Sequence, residues 1–301
     1  MVPGQAKDFK PRVCRIAIDM VEPRLQLCFQ LLSPIRYSEV HVATASAVSG
    51  PNRLLHTKGN WSPRDDRIAS AVWLAILWAG MIAGFGVDVP RYLRENPPAP
   101  KIVHIHAVIF STWMLILTAQ ILLVLRDRVS LHRKLGWLAA GWACLMAVLG
   151  PWAVMDSLAL NLGLPNGDPP FLSVNIVDLA GFLILLAWGF ALRKNPAAHR
   201  RMMILSTVSL ADPGFSRFDF VFLPNGPTSI VGWFFWIFYG NFFLILLMLA
   251  WDFWKKRLMK SFVVAASGLL AAEFAASCIY FYKPWIAITT NWVQAWAKLH
   301  I

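Results

Sequence analysis

Charge is what this sequence has least of. Only 15% of its 301 residues are charged, where a soluble globular domain carries about a quarter. Acids are scarcer than bases, at 16 Asp and Glu against 28 Lys and Arg, for a formal net charge of +12. Cysteine is also rare. Cys14, Cys28, Cys144 and Cys278 show no paired or metal-type spacing. Cys144 and Cys278 fall in apolar runs and read as packing residues. No basic face with interleaved aromatics accompanies the positive charge, so nucleic acid is not the expected partner. Residues 1–60 contain neither a signal-peptide pattern nor an apolar run long enough to span a bilayer.

What the sequence has in excess is apolar length. It is 57% hydrophobic with a mean hydropathy of +0.54. Its apolar residues come in runs of roughly 20, enough at 1.5 Å per residue to cross a hydrocarbon core of about 30 Å. The expected fold class is an all-α membrane protein, a bundle of about seven transmembrane helices. The spans read as 68–88, 102–125, 135–155, 171–192, 202–222, 230–251 and 262–282. The fifth is interrupted by Asp212, Pro213, Gly214, Arg217 and Asp219. Four basic residues stand in each of the loops 126–134, 193–201 and 255–260, against none in 156–170 and three in 89–101. By the positive-inside rule the rich loops are cytoplasmic, which puts the N-terminus inside and the C-terminus outside. Residues 1–65 read as a poorly structured cytoplasmic extension or the product of an upstream start, and 66–283 as the seven-span domain. Residues 284–301 read as an amphipathic interfacial tail with Trp285, Trp292 and Trp296 on one face, or as a frayed end.

One loop occurs twice. "LRDRVSLHRKLG" (125–136) is echoed 67 residues later by "LRKNPAAHRRMM" (192–203). Spans two and three therefore align with spans four and five as a parallel repeat, unlike the inverted repeats of many transporters. His132 and His199 each stand just before a helix that starts on the cytoplasmic side, where free N–H groups and the helix dipole favour an anion. Arg133, Lys134, Arg200 and Arg201 add to that preference. Beside the plain topological role of such loops, three readings stay open: anionic lipid headgroups, an anionic substrate, or haem b held by His132 and His199. Headgroup anchoring is the favoured one, with the bilayer as partner.

Ionisable residues inside spans are functional candidates by default. Asp178 and Arg217 fall at similar outer depth, with His104 and His106 one turn or less into the second span, so the four are expected to share an outer pocket in which Arg217 neutralises Asp178. Asp212 and Glu273 fall near the midplane. His104 and His106 lie 200° apart on a helix and cannot readily bind one metal, so no metal is expected. Pro213 and Gly214 predict a kink or break beside Asp212, the best single locus for function.

"HIHAVIFSTWMLILTAQ", "LHRKLGWLAA" and "NPAAHRRMMILSTVSLADPGFSRF" together resemble an uncharacterised family of bacterial multi-pass membrane proteins, over about residues 66–285. That resemblance implies a helical inner-membrane protein and supplies no activity. In residue type alone the histidine-bearing helices are also similar to b-type cytochrome membrane domains. A late His-x-x-x-His, which a seven-span zinc hydrolase would show, is absent. The expected function is binding or passage of a small ligand or protons through the Asp/Arg/His site, the alternative being a haem b redox protein.

Overall fold

The computed structural model describes residues 63–164, 167–222 and 226–300; the expected extension lies outside these except for its last residues. The described residues form ten α-helices and no strand. They are α1 (Pro63–Tyr92), α2 (Lys101–Leu125), α3 (Val129–Leu160), α4 (Leu172–Ala191), α5 (Pro196–Val208), α6 (Asp212–Phe215), α7 (Arg217–Phe222), α8 (Ile230–Trp254), α9 (Lys260–Tyr280) and α10 (Lys283–His300). A single 3-10 turn, Pro169–Phe171, leads into α4.

Local chemistry sets several of the ends. Asn195 caps α5, its side chain accepting from the Ala198 N–H at 3.2 Å, with Pro196 at the first helical position, where a missing N–H costs nothing. Ser229 caps α8 in the same way through Gly232. Asp127 and Lys256 take positive φ where α2 and α8 give way to the next helix. His132 and His199 turn out to be the fourth residues of α3 and α5, inside the first turn rather than before it.

Six helical segments are long and apolar enough to cross a membrane: α1, α2, α3, Pro169–Ala191, α8 and α9. Their outer surfaces are apolar too, with Ile82, Val108, Leu115, Val148, Ile184 and Leu247 each at least half exposed. This is compatible with an integral membrane protein, since water would not tolerate so large an apolar surface.

The expected fifth span is the exception. It is not one helix but α5, α6 and α7 in succession. Pro213 has no N–H, so the Ser209 carbonyl four residues earlier has no helical donor. Side chains tie the broken segment to its surroundings. The Ser209 hydroxyl donates to the Asp178 carbonyl at 2.6 Å, Tyr239 donates to the Phe215 carbonyl at 2.8 Å, and Arg217 donates to the Pro213 carbonyl. The broken segment runs alongside α1, with Arg200 at Asp66 and Arg217 at Asp88. Those two acids lie twenty-two residues apart, about 33 Å along a helix.

Glycines make the close approach. A Cβ on Gly84 would sit 1.6 Å from the Gly214 carbonyl oxygen, and the Phe215 ring fills the space beside Gly80 and Gly240. By contrast, nothing lies within 4 Å of a Cβ on Gly86. Gly84→Ala should therefore lower stability by about 1–3 kcal/mol, as overpacking does, whereas Gly86→Ala should be neutral or slightly stabilising. Thermal unfolding of the two variants in detergent checks this; equal behaviour would mean α1 is not seated on the break.

Candidate functional site

Three polar groups lie along the broken segment. The first is in the middle. Asp178 on α4, Asp212 at the start of α6, Asn241 on α8 and Glu273 on α9 are all buried. Gly181 lets Ser209 approach, and the Ser209 hydroxyl bonds the Asp178 backbone. The Asn241 amide donates to Glu273 Oε1 at 3.0 Å. Asp178 and Asp212 bring their carboxyls within hydrogen-bonding reach of each other. Four oxygens have no partner: Asp178 Oδ1, Asp212 Oδ1, Asn241 Oδ1 and Glu273 Oε2. No ion pair joins the three acids to any described base.

The second group is at the Asp88 end of α1. Asp88 is buried and takes both Arg91 (2.6 and 2.8 Å) and Arg217 (3.0 Å). The Arg217 guanidinium lies 3.9 Å from the centre of the Phe85 ring. The expected Arg217–Asp178 pair is therefore corrected: Arg217 neutralises Asp88. Asp88 ends the first apolar run, a place where an acid gives no sign of burial. The histidines separate as their 200° spacing predicts. His104 faces outward and meets the Tyr92 hydroxyl at 3.2 Å, away from the acids. His106 is partly buried and stacked on Phe110, its Nδ1 without a partner.

The third group is at the Asp66 end. Arg201 is buried and holds Asp252 through two hydrogen bonds of 2.5 and 2.7 Å. Asp66, in the first turn of α1, is reached by Arg200 at 2.8 Å, Arg257 at 3.4 Å and Arg201 at 3.5 Å. Arg200 and Arg201 are thus engaged inside the bundle, against the expectation that they face headgroups or a free anion. Arg133 and Lys134 of the twin loop are exposed. The sequence signal that was missed is the pair Asp65–Asp66, set where a helix N-terminus favours acids.

The twin histidines meet. The His132 and His199 rings are 6.1 Å apart, centre to centre, nearly perpendicular. His199 Nδ1 is 2.8 Å from the Gly189 carbonyl, and His132 packs against Gln120. Among the described residues no group of three or more His, Cys, Asp or Glu is arranged to hold a metal ion.

Burial lowers the His199 pKa, opposed by the Gly189 carbonyl and aided by His132, Arg200 and Arg193. With the ordinary histidine value near 6.5, the unfolded chain takes up its proton first as pH falls. Folded stability at this position is therefore lost below about pH 6.5. His199→Gln should make the fall in melting temperature from about pH 7 to about pH 5 shallower; an unchanged slope would remove His199 from the pH response.

No protein-family model, curated protein or solved structure matches the chain.

Proposed function

We propose that this is a multi-pass protein of the bacterial inner membrane that takes up and passes protons through Asp178, Asp212 and Glu273. In this reading the broken segment α5–α7 is the seventh crossing, the basic loops are cytoplasmic, and the chain belongs to the bacterial family whose motifs it resembles. Arg133 and Lys134 meet anionic headgroups. Helix α10 lies in the outer interface. Its Trp285 and Trp296 bond Pro170 and Asp156, while Ile288, Trp292 and Leu299 remain bare toward lipid.

One observation carries the proton reading: four buried oxygens of this cluster have no partner, and every one of them is an acceptor. Three carboxylates buried together without a bonded cation are too costly to remain fully charged. A proton shared by Asp178 and Asp212 would leave one charge where two carboxylates stand together. A second proton, on Glu273, would neutralise the carboxyl whose Oε1 the Asn241 amide already bonds. The two positions belong to one cluster around the helix break, where freed backbone and acidic groups gather at ion pathways. Asp88, Arg91, Arg217 and His106 would line the way from the outer side.

The purified chain in vesicles, under a potassium diffusion potential with a trapped pH dye, tests this. Wild type should carry protons, and Asp212→Asn or Glu273→Gln should lower the flux about tenfold or more while the protein stays folded. Equal flux through wild type and both variants sinks the reading.

A second reading, a haem b redox protein, is favoured by one feature, the approach of His132 to His199. With Nδ1 of His199 held by the Gly189 carbonyl, its other nitrogen is left for a ligand. Protein from haem-replete cells would then show a Soret band lost in His132→Ala and His199→Ala. A colourless preparation would end this idea.

A further inference from the structure

We propose that the Asp66 cluster is a gate: an ion-pair lock that pins α1 to α5 and α8 and closes the acid cluster to the cytoplasmic side. This rests on the proton-passing reading for its purpose, but not for its geometry.

The two ends of α1 are built differently. At the Asp88 end the Arg91 side chain is 52% exposed. Beside it, Arg91, Arg94, Glu95 and Asn96 border a depression of about 540 Å³. At the Asp66 end the aspartate is as buried as Asp88, but the arginine side chains bonded to it, from α5 and the α8–α9 connection, are only 7–21% exposed. The cleft there, lined by Ser70, Trp73 and Trp251 among others, has only about 20 Å³ of room, little more than one water needs. The Asp88 end of α1 is thus the more open of the two.

Charge makes this end a lock rather than a fixed core contact. Three arginines, Arg200, Arg201 and Arg257, converge on Asp66, and Arg201 also holds Asp252. Loss of the Asp66 carboxylate removes the bonds by which α1 holds all three. Fully hydrated, the same groups stay charged and soluble, so separation of α1 at this end exchanges their ion pairs for water. Just deeper lies an apolar layer of Leu74 and Leu77 on α1, Leu205 and Val208 on α5, and Leu244, Ile245 and Met248 on α8. That layer stands between the lock and the acids. A swing of α1 about its glycine seat on Gly214 and Phe215 would open both together.

The test reads accessibility, independently of flux. In the full chain, with Cys14, Cys28, Cys144 and Cys278 replaced by Ser, Ser70→Cys places a thiol in the cleft; Ser70 is 3% exposed and its hydroxyl donates to the Asp66 carbonyl. A membrane-impermeant maleimide is added from the Asp66 side. Labelling should be slow, and Asp66→Asn should speed it about tenfold or more by raising the open population. Arg257→Gln, a milder lesion should Asp66→Asn fail to fold, should speed it severalfold. Asp156→Ala, which removes the acceptor of the Trp296 N–H at the opposite end, should leave labelling unchanged. Unaltered labelling in both lock variants overturns the gate, and so does equal acceleration in Asp156→Ala, which would mark general loosening. Faster labelling in a protein that carries no protons supports the gate and removes the proton reading instead.

Discussion

A backbone carbonyl in hydrocarbon must find a donor, and Pro213 takes one away in the middle of the bundle. The neighbourhood of that residue is arranged around the consequence. Ser209 turns its hydroxyl to α4, Tyr239 reaches from α8 to the Phe215 carbonyl, and Arg217 folds back onto the Pro213 carbonyl. Phe215 then needs room, which Gly80 and Gly240 supply from opposite sides. An unbroken helix would need none of this. The acids follow the same logic: Asp212 opens α6 directly after the break, and Asp178 and Glu273 stand on the helices that face it.

Helix α1 holds the broken segment at both ends. Without continuous helical hydrogen bonding, α5–α7 has little stiffness of its own, so its ends are fixed by charge. Arg200 and Arg201 are held by Asp66, and Arg217 by Asp88. Buried pairs of this kind contribute little net stability, because desolvation offsets much of the attraction, yet removing one partner costs about 3–5 kcal/mol. They therefore specify position more than they stabilise. Position is what an interrupted helix lacks.

Much of the architecture was legible in the apolar runs, because lipid demands the same length of every complete crossing. The break was legible as well, since proline has a single physical effect wherever it falls. Partners were not. Arg217 was matched to Asp178 on depth alone, but depth says nothing about which helix is adjacent, and α1 supplied Asp88 instead. Asn241 went unseen because a single amide in the apolar run of α8 carries no charge to mark it; only its bond to Glu273 gives it a role. Asp66 and Asp88 escaped for the opposite reason. Acids at the ends of an apolar run are ordinary, and their burial depends on arginines more than a hundred residues away.

The doubled loop shows how far a motif constrains what its residues do. The two copies fold alike: each histidine is the fourth residue of its helix, and the two rings meet between the hairpins. Their arginines diverge. Arg133 and Lys134 are exposed, with α3 packed beside α2 and α4. Arg200 and Arg201 begin α5, which packs beside α1, and there meet two buried acids. Identical local chemistry thus became a solvated helix start in one copy and an internal ion-pair centre in the other. The difference lies in the acids of α1 and α8, not in the repeat. A basic loop between apolar runs turns its cations inward wherever a neighbouring helix offers an acid at the same height.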